Sequence, residues 1–557
     1  MATQQIFGID LGTTYSCIAY IDEHGRPVTI PNFDGDLTTP SVVYFESPSN
    51  IVVGKHAKNA SKLDPDRTVS FIKRSMGDST FAFEVFGQDY SPEAISSLVL
   101  RKLVNDAEAA LGKTIKDVVI TCPAYFGINQ REATKNAGEL AGLTVHQVLN
   151  EPTAAAIAYA MNQLDQDRVV LVYDLGGGTF DVTVIAIEAG EIRVVVTGGN
   201  HALGGKDMDD RLINHFAAQF LAAHPDATDP RDDSQSLQEL AIGAEEAKKG
   251  LSVKERWPFM VSHAGRRVRV EISRETFEDL TRDLVEQTMT LTASLLSDAK
   301  DRGVSTIDEV LLVGGSSKMP IITQRLAQLV GVAPKLHDPD QAVAKGAAYM
   351  GLKLAAGQSI REIIASQRGL SAEEVDLHRV DPKTLETAAH EASSASGLRL
   401  SRTDLASLAT VKIINVCSKA FGVMAMTDTQ DDREEVVYLI DANTPVPVEI
   451  TRTDFGTQVA NQPSVHIEVM EQAGQIAHPA PENNRLIVDG ELEAPAGLPA
   501  GAPIHVTFRL GEDGTLAVTA IEPRTGVKLH LSAQVEGVMS PEEVKRQKSL
   551  LLRQSVS

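Results

Sequence analysis

Ile6-Phe7-Gly8-Ile9-Asp10-Leu11-Gly12-Thr13-Thr14 near the start of the chain has a counterpart in Val170-Leu171-Val172-Tyr173-Asp174-Leu175-Gly176-Gly177-Gly178-Thr179-Phe180-Asp181. Each copy is an apolar strand, then Asp, then a Gly/Thr turn, then a second β-rich run, Ser16 to Ile21 and Val182 to Ile187. That pattern predicts a β-hairpin. Glycine has no Cβ, so the backbone N–H groups of such a tip can approach phosphate oxygens closely. Two tips of this kind grip one nucleotide from opposite sides, and the aspartates offer hard oxygen ligands to Mg2+, directly or through water.

The duplication extends past the hairpins. The run Asp117 to Phe126 parallels Asp308 to Ser316, and both are apolar strands ending in a turn. Asn150-Glu151-Pro152 followed by small residues parallels Asp338-Pro339-Asp340 followed by small residues, two acidic starts to closely packing helices. Four elements in the same order twice predict two related α/β lobes with a cleft between them.

The bulk properties are those of a multidomain globular protein. Its 557 residues suit three or four domains, and its 43% apolar content suits several cores. A net charge of −23 argues against nucleic-acid or anionic-membrane partners. Cys17, Cys122 and Cys417 form no disulfide or metal spacing, so a reducing compartment is expected. The N-terminus carries no signal-peptide pattern and no apolar run reaches membrane-spanning length, so a cytoplasmic protein is expected.

Residues 1–356 read as alternating strands and helices. A subdomain is inserted on the second lobe: helical from Asp207 to Gly250, β-rich from Phe259 to Ile272, helical again from Arg274 to Ala299. Residues 357–410 are polar and helix-prone and read as a linker or helical insertion. Residues 411–538 read as a small antiparallel sandwich. Its expected strands are Val436 to Ile440, Val465 to Met470, Leu486 to Val488, Ile504 to Leu510, Leu516 to Ile521 and Lys528 to Leu531. Residues 539–557 begin one helix, with Ser540 as N-cap, Pro541 at its first position and Glu543 completing a capping box.

These motifs resemble the 70-kDa heat-shock chaperone family, of the DnaK type. The resemblance rests on Ile9 to Thr14, Val119 to Phe126, Asn150 to Ala156, Asp174 to Asp181, Leu203-Gly204-Gly205 and Val313 to Ser316, in the family's order. It implies an actin-like α/β ATPase domain of two lobes with a duplicated βα core, followed by the β-sandwich, with hydrolysis controlling the grip on extended apolar polypeptides. Implied ligands are ATP or ADP, Mg2+ and, as an additional candidate, K+. Implied partners are unfolded or client polypeptides, a J-domain co-chaperone and a nucleotide-exchange factor.

Residue roles follow from the same resemblance. Asp10, Gly12, Thr13, Thr14 and Gly176, Gly177, Gly178 meet the phosphates, with Asp10, Asp174 and Asp181 around the metal. Lys73, Glu151, Asp174, Thr179 and Asp181 form the hydrolytic set. Glu245, Lys248, Lys249 and Ser252 share one helix face and contact the adenosine from one side. Gly314, Gly315, Ser316, Lys318 and Asp340 contact it from the other, with Lys318 where the family usually has Arg. Pro123 and Arg131 match a pair that couples nucleotide state to the rest of the molecule. Val423, Met426, Phe455, Val465 and Ile467 match the peptide groove.

The sequence departs from the family at three places. The apolar, acid-terminated linker is here Val411 to Val416, with Lys412 and Asn415 substituted. The insertion 358–410 precedes it. A C-terminal helical lid is not seen, which predicts fast peptide exchange. The alternative is a regulatory ATP-binding module with weak turnover, docking through 358–410; a small-molecule kinase on the same fold stands behind both.

Overall fold

The computed structural model describes residues 5–161, 166–188, 190–396, 398–428, 433–532 and 538–557. Two central sheets repeat one topology. In lobe I the order is Thr144–Asn150, Asp117–Cys122, Phe7–Asp10, Tyr15–Ile21, Pro27–Thr29. In lobe II it is Lys335–Leu336, Glu309–Val313, Arg168–Leu175, Phe180–Glu188, Glu191–Asn200. Each begins with the expected antiparallel hairpin, in register at Ile9↔Ile18 and Asp174↔Asp181. Each hairpin then lies parallel to the next strand, at Ile9↔Ile120 and Val172↔Leu311.

Two helices, Glu151–Ala160 and Ala342–Arg368, pack together between the sheets. Their small residues permit close backbone approach. A Cβ on Gly346 would stand 1.7 Å from the Ala154 carbonyl oxygen, and one on Gly8 2.2 Å from the Ala348 nitrogen. One apolar core therefore runs from Ile6 and Val119 of lobe I through Ala154, Ala155 and Ala347 to Val172 and Val313 of lobe II. The inserted subdomain of lobe II consists of helices Gly205–Ala223 and Ser234–Leu251, a hairpin of Arg256–His263 with Arg266–Ser273, and helices Arg274–Leu280 and Arg282–Asp301.

The boundary expected at 356 falls inside the 27-residue helix Ala342–Arg368. The insertion is helical, but it does not hang free. Helices Pro382–Ser396 and Arg402–Thr410 bury Ala388, Ala389, Leu405 and Leu408 in the core shared by the lobes. Leu400 fills the space over Gly25, and the Arg399 N–H donates to the Glu23 carbonyl at 2.6 Å.

The sandwich comprises two four-stranded antiparallel sheets. One orders Arg433–Ile440, Phe421–Asp428, Ser464–Gln472, Asn484–Glu493; the other Val448–Gly456, Pro503–Leu510, Leu516–Ile521, Lys528–Ser532. Their inner faces meet through Ile467, Val469, Ile504, Val506, Phe508 and Val518. Strands Phe421–Asp428 and Val448–Gly456 were not among those expected, because Gly422 and Ala425 blur the alternation in the first and Arg452 and Asp454 interrupt the second. The expected last helix is Pro541–Leu551, with its Ser540–Glu543 capping box. It lies on lobe I, and beyond it the short strand Ser555–Val556 joins strand Asn50–Val53. No described helix is long and apolar enough to cross a membrane.

Candidate functional site

The two hairpin tips touch. A Cβ on Gly177 would lie 1.7 Å from Thr14 Oγ1, and one on Gly178 2.3 Å from Thr13 Cγ2. Only glycine fits at either position. The carbonyls of the second tip are drawn outward. Gly176 O accepts from Gly205 N at 3.0 Å and Ser316 Oγ at 2.9 Å, Gly177 O from Lys206 N at 2.7 Å, and Gly178 O from Arg74 Nε at 2.9 Å. In a trans peptide the N–H points opposite to the carbonyl, so the N–H groups of Gly177, Gly178 and Thr179 face away from those partners. Thr14 Oγ1 is buried at the contact with no hydrogen-bond partner among the described residues. A buried polar atom left orphaned between two phosphate-loop tips fits a phosphate oxygen.

Beneath the tips lies a charged centre. Lys73 and Glu151 form a buried ion pair. Asp174, Thr179 and Asp181 are buried beside it, and Asp10 is half-buried. Thr121 Oγ1 donates to Asp10 at 3.3 Å, and the Tyr125 N–H donates to Asp181 at 3.1 Å. Desolvation, aided by the Glu151 charge, pushes Asp10 up to about 7 and Asp181 up to about 7. Desolvation and the surrounding carboxylates push Asp174 well above the usual range. Lys73 is raised despite its burial by Glu151 and Asp10. One ammonium among four carboxylates leaves an excess of negative charge, which suits a hard divalent cation. Among the described residues no three His, Cys, Asp or Glu side chains form a direct metal cage. The donor set therefore fits Mg2+ held partly through water and phosphate oxygens, the mode that ion prefers.

The cleft is bridged farther out. Glu245 of lobe II pairs with Lys58 of lobe I and with Lys249 at 2.6 Å, and it accepts from Tyr15 Oη at 3.0 Å. Opposite it, Lys318 pairs with Asp340, and Gly314 adopts φ 79° where a Cβ would strike the Asp174 carboxylate at 2.4 Å. Gly315 lies beside Asp340. Lys248 turns inward to Asp209 at 2.7 Å and the Gly205 carbonyl at 2.8 Å, while Ser252 caps the Lys248 carbonyl at 3.1 Å. The structure thus brings the phosphate set together and sets Glu245, Lys249, Lys318 and Asp340 at the cleft, whereas Lys248 is committed to its own lobe. Sequence reasoning missed Tyr15, Lys58, Arg74 and Asp207. Arg74 bridges the lobes by gripping Asp207 as well as Gly178 O. Its position after Lys73 was a signal, but its partner 133 residues away was not legible.

A second constellation joins the ATPase domain to the sandwich. Pro123 is buried, and Arg131 donates to the Phe126 carbonyl at 3.1 Å, the Ala124 carbonyl at 3.2 Å and the Asn150 side chain. Glu471 of the sandwich is buried against the same turn and accepts from the Ile128 N–H at 3.0 Å. Tyr125 Oη donates to the Gly474 carbonyl at 2.6 Å, and the Lys419 ammonium sits 3.6 Å from the Tyr125 ring centroid. Strand Lys412–Val416 adds to the lobe II sheet, parallel to Glu191–Asn200 at Ile192↔Ile413. The structure absorbs both linker substitutions. Lys412 is exposed, and Asn415 accepts from Thr153 Oγ1 at 3.0 Å. A small cavity of about 40 Å³ at this junction is lined by Arg131, Asn415, Lys419 and Glu471 among others.

Of the expected peptide-groove residues, Val423 and Ile467 are buried in the sandwich core, and Phe455 and Val465 pack half-buried against it. Met426 is half-buried, opposite Glu434 on the neighbouring strand.

With this geometry in view, comparison with known proteins is decisive. The family model described as Hsp70 protein matches residues 6–366 and 406–553. The chain belongs to the Hsp70 family. It is 38% identical over 549 residues to the chaperone protein DnaK of Thermotoga maritima, covering 97% of this chain and 82% of that one. It is 36% identical over 552 residues to the chaperone protein DnaK of Halobacterium salinarum, covering 98% of this chain and 77% of that one. As an Hsp70 protein it is an ATPase of a chaperone family whose members bind ATP and ADP, generally with Mg2+. Residues 367–405, most of the helical insertion, fall between the two matched parts.

Proposed function

We propose that this protein is an ATP-dependent chaperone in which the touching hairpin tips hold the phosphates, the carboxylate centre holds hydrated Mg2+, and the sandwich binds extended apolar polypeptide. The observation that carries the reading is the buried Lys73–Glu151 pair set among Asp10, Asp174 and Asp181 directly under the two tips. Bound Mg2+ supplies charge neutralisation at the phosphate oxygens. Lys73 stabilises charge on the transferred phosphoryl group and orients the attacking water. Glu151 and Asp181 hold the water shell, and neither is assigned as sole base, because positioning outweighs proton abstraction in this chemistry. Glu245, Lys249, Lys318 and Asp340 flank the adenosine. Lys318 lacks the planar fork that stacks on a base, so it holds the nucleotide less firmly than Arg.

Nucleotide state reaches the sandwich through Tyr125. Its N–H binds Asp181 at the metal centre and its hydroxyl binds Gly474 in the sandwich. Client segments bind by backbone pairing with an apolar side chain in a pocket near Met426, Phe455 and Val465, with Val423 and Ile467 as its floor. Helix Pro541–Leu551 lies on lobe I, which supports fast peptide exchange. A J-domain protein and a nucleotide-exchange factor are its expected partners. The buried apolar face of 358–410 supports this reading over one in which that segment docks a partner. A fluorescent extended apolar peptide tests it: the purified chain binds the peptide, and Mg-ATP speeds its release. Absence of binding in any nucleotide state defeats the proposal.

A further inference from the structure

We propose that residues 540–557 are a strap, and that a groove on lobe I beside strand Asn50–Val53 is its receptor, a strand-addition site for an extended peptide segment that fixes the sandwich to lobe I. The inference goes beyond the chaperone reading and does not depend on client binding.

Three kinds of contact define the site. The first is apolar: Val544, Leu551 and Val556 are buried in the same core as Phe45, Ile51, Leu98 and Leu140 of lobe I. The second is backbone pairing. Ser555 N donates to Ser49 O at 2.8 Å, Ser557 N to Ile51 O at 3.0 Å, and Val53 N to Ser557 O at 2.9 Å. Strand Asn50–Val53 would otherwise be the edge of its sheet, with its backbone groups unpaired. The third is a set of side chains aimed at the strap backbone. Arg101 donates to the Leu551 carbonyl at 2.6 Å and the Gln554 carbonyl at 2.8 Å. A guanidinium on the last carbonyls of a helix is favoured by the helix dipole. Arg101 has no carboxylate within ion-pair distance among the described residues, so the strap carbonyls are its main partners. Asn105 donates to the Val556 carbonyl at 3.3 Å and Asn136 to the carbonyl of Met539, just before the strap, at 3.2 Å; in the reverse direction the strap's own Gln554 side chain donates to Tyr90 Oη of lobe I at 2.7 Å.

The consequence is conformational. Strand Lys412–Val416 ties the start of the sandwich to the lobe II sheet, and residues 540–557 tie its far end to lobe I. The sandwich leaves the ATPase domain only when these attachments and the Tyr125 and Glu471 contacts open together, so the strap adds to what holds the docked arrangement.

Hydrogen exchange on the full-length chain, with ADP and with ATP, tests this in wild type, Arg101→Ala and Val556→Asp. We expect protected amides at 551–557 and 50–53 in wild type. In both variants protection there falls about tenfold or more, and protection at 412–416 and 128 falls with it. A synthetic peptide of residues 549–557 added to Val556→Asp restores protection at 50–53. Tail amides that exchange in wild type as fast as an unstructured chain would overturn the strap. Loss of tail protection without change at 412–416 and 128 would overturn its role in docking. Arg101→Ala leaves the apolar contacts of Val544, Leu551 and Val556 in place, so it keeps the test decisive if Val556→Asp folds poorly.

Discussion

Replacing Lys73 with Met removes one charge from the centre and nearly preserves its volume. The ammonium is buried and paired with Glu151, with Asp10, Asp174 and Asp181 close by. Breaking a buried pair by deleting one partner costs about 3–5 kcal/mol. Here the folded state recovers part of that cost, because Asp10 and Asp181 already titrate at about 7 and take up a proton at neutral pH. We therefore expect a nucleotide-free fold destabilised by about 1–3 kcal/mol, less than the full cost of an uncompensated buried charge. The effect on chemistry is larger. A preorganised charge aimed at the developing phosphoryl charge is worth about 10²–10³ in rate. Single-turnover hydrolysis of pre-bound ATP measures this without interference from nucleotide release. A Lys73→Met protein that binds ATP and hydrolyses it within threefold of wild type would refute the assignment of this centre to phosphoryl transfer.

Three further outcomes follow from the same geometry. Gly177→Ala puts a methyl 1.7 Å from Thr14 Oγ1, which forces the tips apart at a cost of about 1–3 kcal/mol, so calorimetry should show ATP affinity reduced about tenfold or more. Glu471→Ala leaves the buried Ile128 N–H without its acceptor, a loss of about 1–3 kcal/mol; limited proteolysis should cut the variant faster than wild type within 411–416 while ATP binding is unchanged. Asp10 and Asp181 titrate above their unfolded values, so the native state binds the extra protons and stability is lost as pH rises through the window from about 4 to 7. The melting temperature of the nucleotide-free protein should fall between pH 5 and pH 8, and Mg-ATP should flatten that slope.

The doubled hairpins were legible because they are local. A strand, an Asp, a glycine turn and a second strand occupy about a dozen residues, and Gly177 and Gly178 prove necessary for contact with the other tip. The helix cap at Ser540 was legible for the same reason. What sequence alone did not reveal is relational. Arg74, Tyr15 and Lys58 are ordinary surface types until a lobe folded far along the chain brings Asp207 and Glu245 to them. Lys248 shares a helix face with Glu245, yet Asp209 on a neighbouring helix claims it. The insertion read as a linker because its composition is polar, while the alanines that pack it lie on one face and present no long apolar run. Strand Ser555–Val556 is too short to leave any periodic signal and is specified by the edge it joins.

The central claim is that one ATPase centre controls one peptide-binding sandwich. Steady-state ATP hydrolysis by the purified full-length chain, with and without a saturating extended apolar peptide, tests it most directly. The account predicts peptide-stimulated turnover, with the stimulation reduced in Glu471→Ala while basal turnover remains. Basal turnover that is the same with and without peptide would contradict it, because the contacts through Tyr125, Glu471 and the linker strand would then carry nothing between the two parts.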